Sequence, residues 1–292
     1  MMNNAKSIMV AALLLLACNK DPYLPNTPPA YVELGSSDAT YGNNNDAEPK
    51  MATIKYMTYN IHAANPPGAP GTVDINAIAN VIIQANPDVL FLQEVDKGTN
   101  RNGYTGDMAK EIAALVKMNY SFYSSIAYMR GFYGIAILSK YPLKNNRKYM
   151  LPKANATDEQ RVLGIATVDL PGVDSLTLAV THLQHTAGGG RLAQINEVIS
   201  HLSKTSDRIL IGGDLNENPS ATDFFNVFDG AFTRTCVGVN CPNTSSAQNP
   251  TVIIDHLGFR PSNAFGILSH NVIQERVASD HLPVIAELKF NR

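Results

Sequence analysis

Beyond about position 50, apolar residues recur in short runs rich in β-branched and aromatic side chains, a pattern that predicts strands. Polar segments and Gly or Pro residues separate the runs. The predicted strands are Ile54–Tyr59, Val89–Gln93, Gly134–Ser139, Gly164–Asp169, Leu176–Thr181, Arg208–Ile211, Ile253–Phe259 and Pro283–Phe290.

Four segments between these strands have the apolar spacing of three to four residues that is typical of amphipathic helices. Asp74 is a suitable N-cap for the first of them, and Asn86-Pro87 ends it. The predicted helices are Ile75–Gln84, Asp107–Lys117, Arg191–Leu202 and Ala221–Phe228. Strands mixed with helices in one continuous block favour an α+β sandwich of two sheets with helices outside.

The first apolar run has a different organisation. Lys6 precedes an apolar stretch that ends at Ala17 and Cys18, the order of a secretory signal peptide over residues 1–18. Leu15–Cys18 resembles a bacterial lipobox, in which Cys18 is lipidated. A buried first helix with an incidental Cys is the alternative. The run is shorter than the roughly 20 residues of a transmembrane helix.

Residues 19–52 lack a periodic apolar pattern and contain five prolines among residues 19–50. This composition predicts a flexible tether ahead of one domain over residues 53–292. A lipid on Cys18 would anchor the exported protein to a membrane, facing the periplasm or the cell surface.

Charge and composition exclude several classes of protein. The chain has 23 Lys and Arg against 25 Asp and Glu, a net charge of −2, which excludes a histone-like nucleic-acid binder. Its 45% hydrophobic content excludes disorder of the whole chain. A local basic cluster of Lys140, Lys144, Arg147 and Lys148 is either a solvated face, which we favour, or part of a nucleic-acid groove.

The state of the two cysteines that follow Cys18 depends on whether the compartment is oxidising. In an oxidising compartment Cys236 and Cys241 could close a small loop as a disulfide, and two packed free thiols are the alternative. Two Cys without a second pair or neighbouring His make a poor zinc site.

Acidic, amide and imidazole side chains border the predicted strands. Each by itself could be a cap, a turn former or a solvated charge, but strand ends can gather distant residues into one cleft. The residues concerned are Asn60, Glu94, His182, Asp214, Asn216, Asp255, Asp280 and His281.

The motifs that contain these residues occur in a characteristic order. They are Tyr59-Asn60-Ile61, Leu92-Gln93-Glu94-Val95, Gly134 to Pro142, Thr181-His182-Leu183, Gly213-Asp214-Leu215-Asn216, Ile254-Asp255-His256 and Ser279 to Pro283. In order and approximate spacing, this set resembles the endonuclease/exonuclease/phosphatase superfamily, to which deoxyribonuclease I belongs, from Thr53 to Phe290. The resemblance implies a four-layer α/β/β/α sandwich of two packed mixed sheets, with an active cleft at one edge.

The resemblance also implies a phosphoric ester hydrolase, either a phosphodiesterase or a phosphomonoesterase, with Mg²⁺ as cofactor and Mn²⁺ or Ca²⁺ as alternatives. Glu94 is implied as the main metal ligand, and a hard carboxylate suits Mg²⁺. Asn60 and Asp280 are implied as companions at the metal, and Asn60 also as a substrate contact.

The remaining roles concern water and phosphate. The resemblance implies that Asp214 orients or deprotonates the attacking water and that Asn216 steadies the phosphate or that water. Asp255 would pair with His281, which fixes its tautomer and favours its charged form. His281 would then contact the phosphate. Deoxyribonuclease I, sphingomyelinases and several phosphatases carry a catalytic His at the place of His182.

Other polar residues are assigned more weakly. Arg161 could bind phosphate through its guanidinium fork or form a surface salt bridge, and Arg191 is expected in a structural ion pair. His62, His185 and His256 are expected beside the site or at its lip. His201 and His270 are expected to be structural.

The sequence leaves the substrate open between a small molecule, a lipid headgroup and a nucleic acid. The chain has no Trp, which argues by resemblance against inositol polyphosphate 5-phosphatases and exonuclease III-like enzymes. A secreted deoxyribonuclease I-like endonuclease, a sphingomyelinase-type phospholipase and a non-catalytic surface-binding lipoprotein are the alternatives. No obligatory protein partner is evident.

Overall fold

The structure, a computed structural model, describes residues 32–34, 41–186, 190–205, 207–238 and 240–292. Within these residues the chain forms thirteen strands and four α-helices. The strands are β1 (Val32–Leu34), β2 (Thr53–Asn60), β3 (Val89–Lys97), β4 (Asn119–Tyr128), β5 (Gly131–Ser139), β6 (Leu143–Met150), β7 (Val162–Leu170), β8 (Asp174–His182), β9 (Ile209–Asp214), β10 (Thr233–Arg234), β11 (Asp255–Arg260), β12 (Phe265–Val272) and β13 (Val284–Phe290). The helices are α1 (Ile75–Ala85), α2 (Met108–Val116), α3 (Gly190–Leu202) and α4 (Thr222–Ala231).

The strands form two mixed sheets. The larger has the order β1-β4-β5-β3-β2-β13-β12, and the smaller has the order β10-β11-β9-β8-β7-β6. Each sheet contains one parallel pair, β2 with β3 and β8 with β9, and its other pairs are antiparallel. Helices α1 and α2 pack on the larger sheet, and α3 and α4 pack on the smaller one. The predicted four-layer α/β/β/α sandwich is confirmed.

Side chains along each central strand point alternately into the core between the two sheets and toward the helices. On β2, Ile54 and Tyr56 face the core between the sheets, while Met57 and Tyr59 pack against the helices. Successive side chains of a strand point to opposite faces. Both faces of the central strands are therefore buried, and β3 accordingly begins with the continuous apolar run Val89–Leu92.

The helix predictions are close to the observed bounds. Asp74 and Asp107 each cap a helix, because their side chains accept hydrogen bonds from the backbone N–H groups of Ala77 and Lys110. Helix α4 extends to Ala231, past the predicted end at Phe228.

Five strands were absent from the sequence prediction: β1, β4, β6, β10 and β12. Strand β4 carries buried Ser121, Ser124 and Ser125, whose polarity conceals the strand in the sequence. Strand β6 is an edge strand with exposed Lys144 and Asn145, and edge strands tolerate charge because one side is unpaired. Pairing partners, rather than local pattern, define these strands.

The predicted tether over residues 19–52 differs from the structure in its second half. Val32–Leu34 pairs with β4, the Tyr41 backbone N–H donates to Asn119 Oδ1 at 3.0 Å, and the Gly172 N–H donates to the Asn45 carbonyl at 3.1 Å. The folded unit thus begins before the predicted boundary at residue 53, because the backbone of this segment hydrogen-bonds to the domain. The predicted signal peptide with Cys18, and residues 19–31, lie outside the described residues.

Cys236 and Cys241 form a disulfide, with their Cα atoms 5.9 Å apart. Of the two alternatives that the sequence allowed, the disulfide is the one observed. The bond closes a short loop between β10 and the segment that leads to β11.

None of the helices in the described ranges combines the length and the apolar character that a membrane span requires.

Replacing both Cys236 and Cys241 by Ser is expected to lower the free energy of unfolding by about 2 kcal/mol, because the small closed loop restricts the unfolded chain. Urea unfolding of the variant and of the wild type checks this. Wild-type protein in reductant is the control and should match the variant. Equal midpoints for the variant and the oxidised wild type would contradict the prediction.

Candidate functional site

Three site residues occupy adjacent positions on three neighbouring strands. His182 ends β8 and pairs in register with Asp214 at the end of β9, and Asp214 pairs with Asp255 at the start of β11. The predicted strand Ile253–Phe259 starts two residues too early, because the observed strand begins at Asp255 itself. Strand register therefore brings together one imidazole and two carboxylates that are far apart in sequence.

Asp255 and His281 form the predicted pair. His281 Nδ1 lies 2.9 Å from Asp255 Oδ2, and both side chains are buried. Burial alone would lower the pKa of His281, but the charge and the hydrogen bond of Asp255, with a further contribution from Asp214, raise it to about 10. The pair therefore holds His281 as an imidazolium whose Nε2 points toward the site.

Asp214 is the centre of the polar array. Its Oδ1 accepts a hydrogen bond from the Asn216 backbone N–H at 2.9 Å, and its Oδ2 accepts one from Asn60 Nδ2 at 3.1 Å. His182 Nε2 and His281 Nε2 lie 3.4 and 3.8 Å from the same Oδ2. Burial and the charge of Asp255 raise the pKa of Asp214 to about 7, although His281 opposes the shift.

His182 is the neutral imidazole of the site. Burial, followed by the positive charges of Arg161 and His281, lowers its pKa well below the ordinary value. Its Nδ1 is buried and has no hydrogen-bond partner among the described residues. The two imidazoles around Asp214 thus differ in charge because only His281 has a second carboxylate beside it.

Glu94 lies within β3. The sequence had predicted that it follows the end of the strand. Its backbone has φ 57°, and the pairing of β3 with β5 shifts between Leu92 and Val95. A bulge of this kind re-aims a side chain. Glu94 Oε1 accepts a hydrogen bond from Asn60 Nδ2 at 3.1 Å, which connects it to the array at Asp214.

Glu94 fits a divalent-metal site better than the buried carboxylates do, whereas Asn60 faces Glu94 with its donor Nδ2 and accepts the His62 N–H on its Oδ1. The Glu94 carboxylate lines the cleft and offers hard oxygen donors, and Mg²⁺ needs only one or two carboxylates besides water. Asp214, Asp255 and His281 also offer ligand atoms within 4.8 Å of one another. However, His281 Nδ1 is already hydrogen-bonded to Asp255, so this cluster fits proton chemistry better.

The Asp280 side chain lies outside the cleft, although its assignment as a companion of Glu94 at the metal requires it to be there. Its side chain is 41% exposed, its Oδ1 lies 3.8 Å from His62 Nδ1, and it does not line the cleft with Glu94. The neighbouring Ser279 hydroxyl donates to the Asn60 carbonyl at 2.7 Å, which keeps Asp280 near the site. Its role as a metal ligand stays a prediction.

Asn216 lines the cleft in a left-handed backbone conformation, with φ 49°. Its side-chain Nδ2 donates to the Leu183 carbonyl at 3.1 Å. This bond does not use the Oδ1 atom of the side chain. A tight turn after β9 thus presents the amide beside Asp214.

Asp214, His182, His281, Glu94 and Asn216 border a cavity of about 350 Å³. Arg161 lies there too: its side chain is only 3% exposed, and it pairs with Glu159 at 3.1 Å. It is therefore a buried cleft residue and not a surface salt bridge. Its Nη2 donates to His185 Nδ1 at 3.1 Å, which places His185 at the lip as predicted.

Five residues that line the cleft are absent from the predicted site. These are Arg101, Ile126, Tyr128, Tyr133 and Glu159. They lie outside the recognised motifs, on the loop after β3, the β4–β5 hairpin and the segment before β7. Only the position of Glu159, two residues from Arg161, could have suggested one of them.

The other histidines and Arg191 have structural contacts. Arg191 Nε pairs with Glu217 at 2.7 Å, as expected. His201 pairs with Glu197 and stacks on Tyr149. Further contacts are those of His62 with the Asn65 carbonyl, His256 with the Glu217 carbonyl and His270 with Thr235.

The basic cluster does not form a free cationic groove. Lys140 pairs with Asp88 at 3.1 Å and Lys144 with Asp169 at 3.0 Å, and Lys148 donates to the Ser124 carbonyl at 2.7 Å. The cleft lining includes none of these residues. The cluster therefore lies outside the cleft, as the favoured interpretation as a solvated face requires, and three of its members also contact neighbouring side chains or backbone.

Solved structures share this fold. An endonuclease/exonuclease/phosphatase from Beutenbergia cavernae is 24% identical, with a TM-score of 0.71 over 82% of this chain and 72% of that one. The mannosyl-6-phosphatase of Bacteroides thetaiotaomicron is 16% identical, with a TM-score of 0.64 over 81% and 100%. The human Nocturnin catalytic domain with bound sulfate is 18% identical, with a TM-score of 0.63 over 82% and 94%. No curated protein matches the chain in sequence.

The sequence profile of the Endonuclease/Exonuclease/phosphatase family matches residues 57–281. That segment contains all the site residues described above, from Asn60 to His281. The fold and the family together support hydrolysis of phosphoester bonds as the class of reaction. The chain belongs to the endonuclease/exonuclease/phosphatase family.

Proposed function

We propose that this protein is a Mg²⁺-dependent phosphoric ester hydrolase that is anchored outside the cytoplasm. The observation that carries the proposal is the array around Asp214, in which Asn60, His182 and His281 all approach the same carboxylate oxygen. Such an array beside a polar cleft can orient water and neutralise phosphate oxygens at once.

Each residue has a role that follows from its contacts. Asp214 accepts a proton from, or orients, the attacking water, because its carboxylate is fixed by Asn60 and by the Asn216 backbone. His281, held by Asp255, donates to a phosphate oxygen. Asn216 Oδ1 and His182 line the same cavity and help to position water and phosphate.

Glu94 would hold the metal ion, and Asn60 would support it as a neighbour of that carboxylate. When bound, Mg²⁺ would neutralise phosphate oxygens and stabilise charge on the leaving oxygen. Mn²⁺ or Ca²⁺ could replace it, since both accept oxygen ligands. The hydrogen bond from Asn60 to Glu94 keeps the ligand carboxylate next to Asp214.

The cleft favours a small phosphoester over a nucleic acid. Both arginines that line it are paired with carboxylates, Arg101 with Asp96 and Arg161 with Glu159. Two lysines of the basic cluster outside the cleft, Lys140 and Lys144, are also paired with carboxylates. Nucleic-acid binding relies on cations that are free to neutralise several phosphates, and the described residues offer no such row here.

The decisive experiment is a turnover assay on the purified protein, with Mg²⁺ and with EDTA. The panel contains plasmid DNA, RNA, sphingomyelin, phosphatidylinositol phosphates, hexose 6-phosphates and bis-p-nitrophenyl phosphate. We expect EDTA-sensitive hydrolysis, with small esters preferred to polymers. Absence of turnover on every ester would refute the proposed function, and DNA cleavage alone would favour the endonuclease.

The proposed anchor is tested separately. Cys18→Ser is expected to move the protein from the membrane fraction to the soluble fraction without changing catalytic turnover, because Cys18 precedes the first strand of the sandwich and is not among the residues of the polar array. Cell fractionation with immunoblotting checks this. If the variant stays in the membrane fraction, the lipid anchor must be withdrawn.

A further inference from the structure

One side of the cleft is formed by Arg101, Tyr128 and Tyr133, to which the mechanism above gives no task. All three line the same cavity as Glu94 and Asp214. They come from two segments, the loop after β3 and the β4–β5 hairpin. A substrate whose phosphate reaches Asp214 would bring the rest of its structure against residues of this cavity.

Arg101 is fixed in place by a buried carboxylate. Its Nε and Nη2 donate to Asp96 at 2.8 and 2.7 Å, and the Asp96 side chain is 0% exposed. Thr99 Oγ1 also donates to Asp96 at 2.9 Å. Neither of its bonds to Asp96 uses Nη1, so this is the guanidinium nitrogen that a ligand in the cleft can bind.

Two tyrosine rings flank this guanidinium. The Arg101 Cζ atom lies 5.3 Å from the Tyr128 ring centroid and 5.4 Å from that of Tyr133, within cation–π range. Tyr133 is 8% exposed and Tyr128 is 37% exposed. Tyr128 is thus the ring that a ligand can reach, and Tyr133 supports the arginine from inside.

The two segments are held together before any ligand binds. The Asn100 backbone N–H donates to the Met129 carbonyl at 2.8 Å. The hairpin also approaches the loop so closely that a Cβ atom on Gly131 would lie 2.2 Å from the backbone of Gly98. Preorganisation of this kind reduces the entropic cost of binding.

The charges of the cleft indicate which kind of leaving group this side of the cleft would bind. Asp96 balances Arg101, Glu159 balances Arg161, and Glu94 adds a further carboxylate. A leaving group with its own phosphates would meet no unpaired arginine here. A neutral ring with hydroxyl groups could instead pack its apolar face on Tyr128 and hydrogen-bond to Arg101 and Glu159.

We propose that Arg101, Tyr128 and Tyr133 form a leaving-group subsite that binds a neutral, hydroxylated ring such as a sugar beside the scissile phosphate. This inference rests on the proposed function and specifies its substrate class. Arg101 supplies the Nη1 donor, Tyr128 supplies the ring contact, and Tyr133 is a positioning residue for Arg101.

The test compares kcat and KM for a hexose 6-phosphate and for acyclic glycerol 1-phosphate, with the full chain and Mg²⁺. Tyr128→Ala is expected to lower the ratio of the two kcat/KM values roughly tenfold, mainly through a higher KM for the hexose ester. Tyr128→Phe should retain most of that preference because it keeps the ring. Leu115→Ala, at a similarly exposed position on α2, is the control and should leave the ratio unchanged.

The outcomes separate this inference from the proposed function. An unchanged ratio in Tyr128→Ala, with thermal unfolding like that of the wild type, overturns the subsite. A larger loss for a nucleoside monophosphate than for the hexose ester also overturns it, because the wall would then select a base. If the wild type cleaves DNA but neither small ester, the phosphoesterase stands and the subsite falls. If the wild type hydrolyses no phosphoester at all, the proposed function itself fails.

Discussion

Glu94→Gln is expected to reduce turnover by about 10³-fold at low millimolar Mg²⁺ and to regain little of it at higher metal concentration. The substitution keeps the size of the side chain and its contact with Asn60, but removes the charge that would hold the cation. Loss of a metal ligand removes several kcal/mol of transition-state stabilisation. Steady-state kinetics over a Mg²⁺ titration measures both effects.

Glu197→Gln provides the matched control. Glu197 is a similarly sized carboxylate on α3 that pairs with His201 away from the cleft, so its removal should leave kcat and the Mg²⁺ dependence as in the wild type. Normal turnover of Glu94→Gln at low millimolar Mg²⁺ would show that Glu94 is not the principal ligand. Asp280 would then be the next carboxylate to test.

The second large effect concerns Asp255 and His281. Asp255→Asn and His281→Ala are each expected to reduce kcat by about 10²- to 10⁴-fold, the range for a positioned acid or base. The 2.9 Å contact between Nδ1 and Oδ2 makes the imidazolium depend on the carboxylate. The double variant should therefore be barely slower than either single variant, since groups that act as a unit are not additive.

Kinetics of the four proteins, with thermal unfolding to verify folding, checks this coupling. Asp229→Asn is a useful control, because Asp229 also pairs with a cationic side chain, Arg234, but outside the cleft. If the losses of the two single variants multiply in the double variant, Asp255 and His281 act independently. The assigned role of the pair would then have to be abandoned.

The sequence predicted most of the polar array because its residues border strands, and strand patterns are local. Asn60, His182 and Asp214 each end a strand that the apolar pattern located within a few residues. The sequence could not predict which of the carboxylates would be buried together. The register of β8, β9 and β11 decides that Asp214 lies between His182 and Asp255.

Glu94 illustrates where local pattern fails. The apolar run Val89 to Gln93 ends before it, so the sequence placed Glu94 after the strand. In the structure β3 continues to Lys97 through a bulge. A bulge is set by the pairing with β5, a strand more than thirty residues later in the chain, and leaves no local trace in the sequence.

The sequence by itself determined the layers of this protein, the caps of α1 and α2, and the motif residues, because these depend on the period of apolar positions and on neighbouring residues. Tertiary structure alone decided that Val32–Leu34 joins the larger sheet, that Arg161 is buried, and that Arg101, Tyr128 and Tyr133 line the same cavity as the polar array around Asp214. Those features arise from contacts between segments far apart in the chain. The free energy of such contacts depends on burial and on pairing partners, which no single stretch of sequence contains.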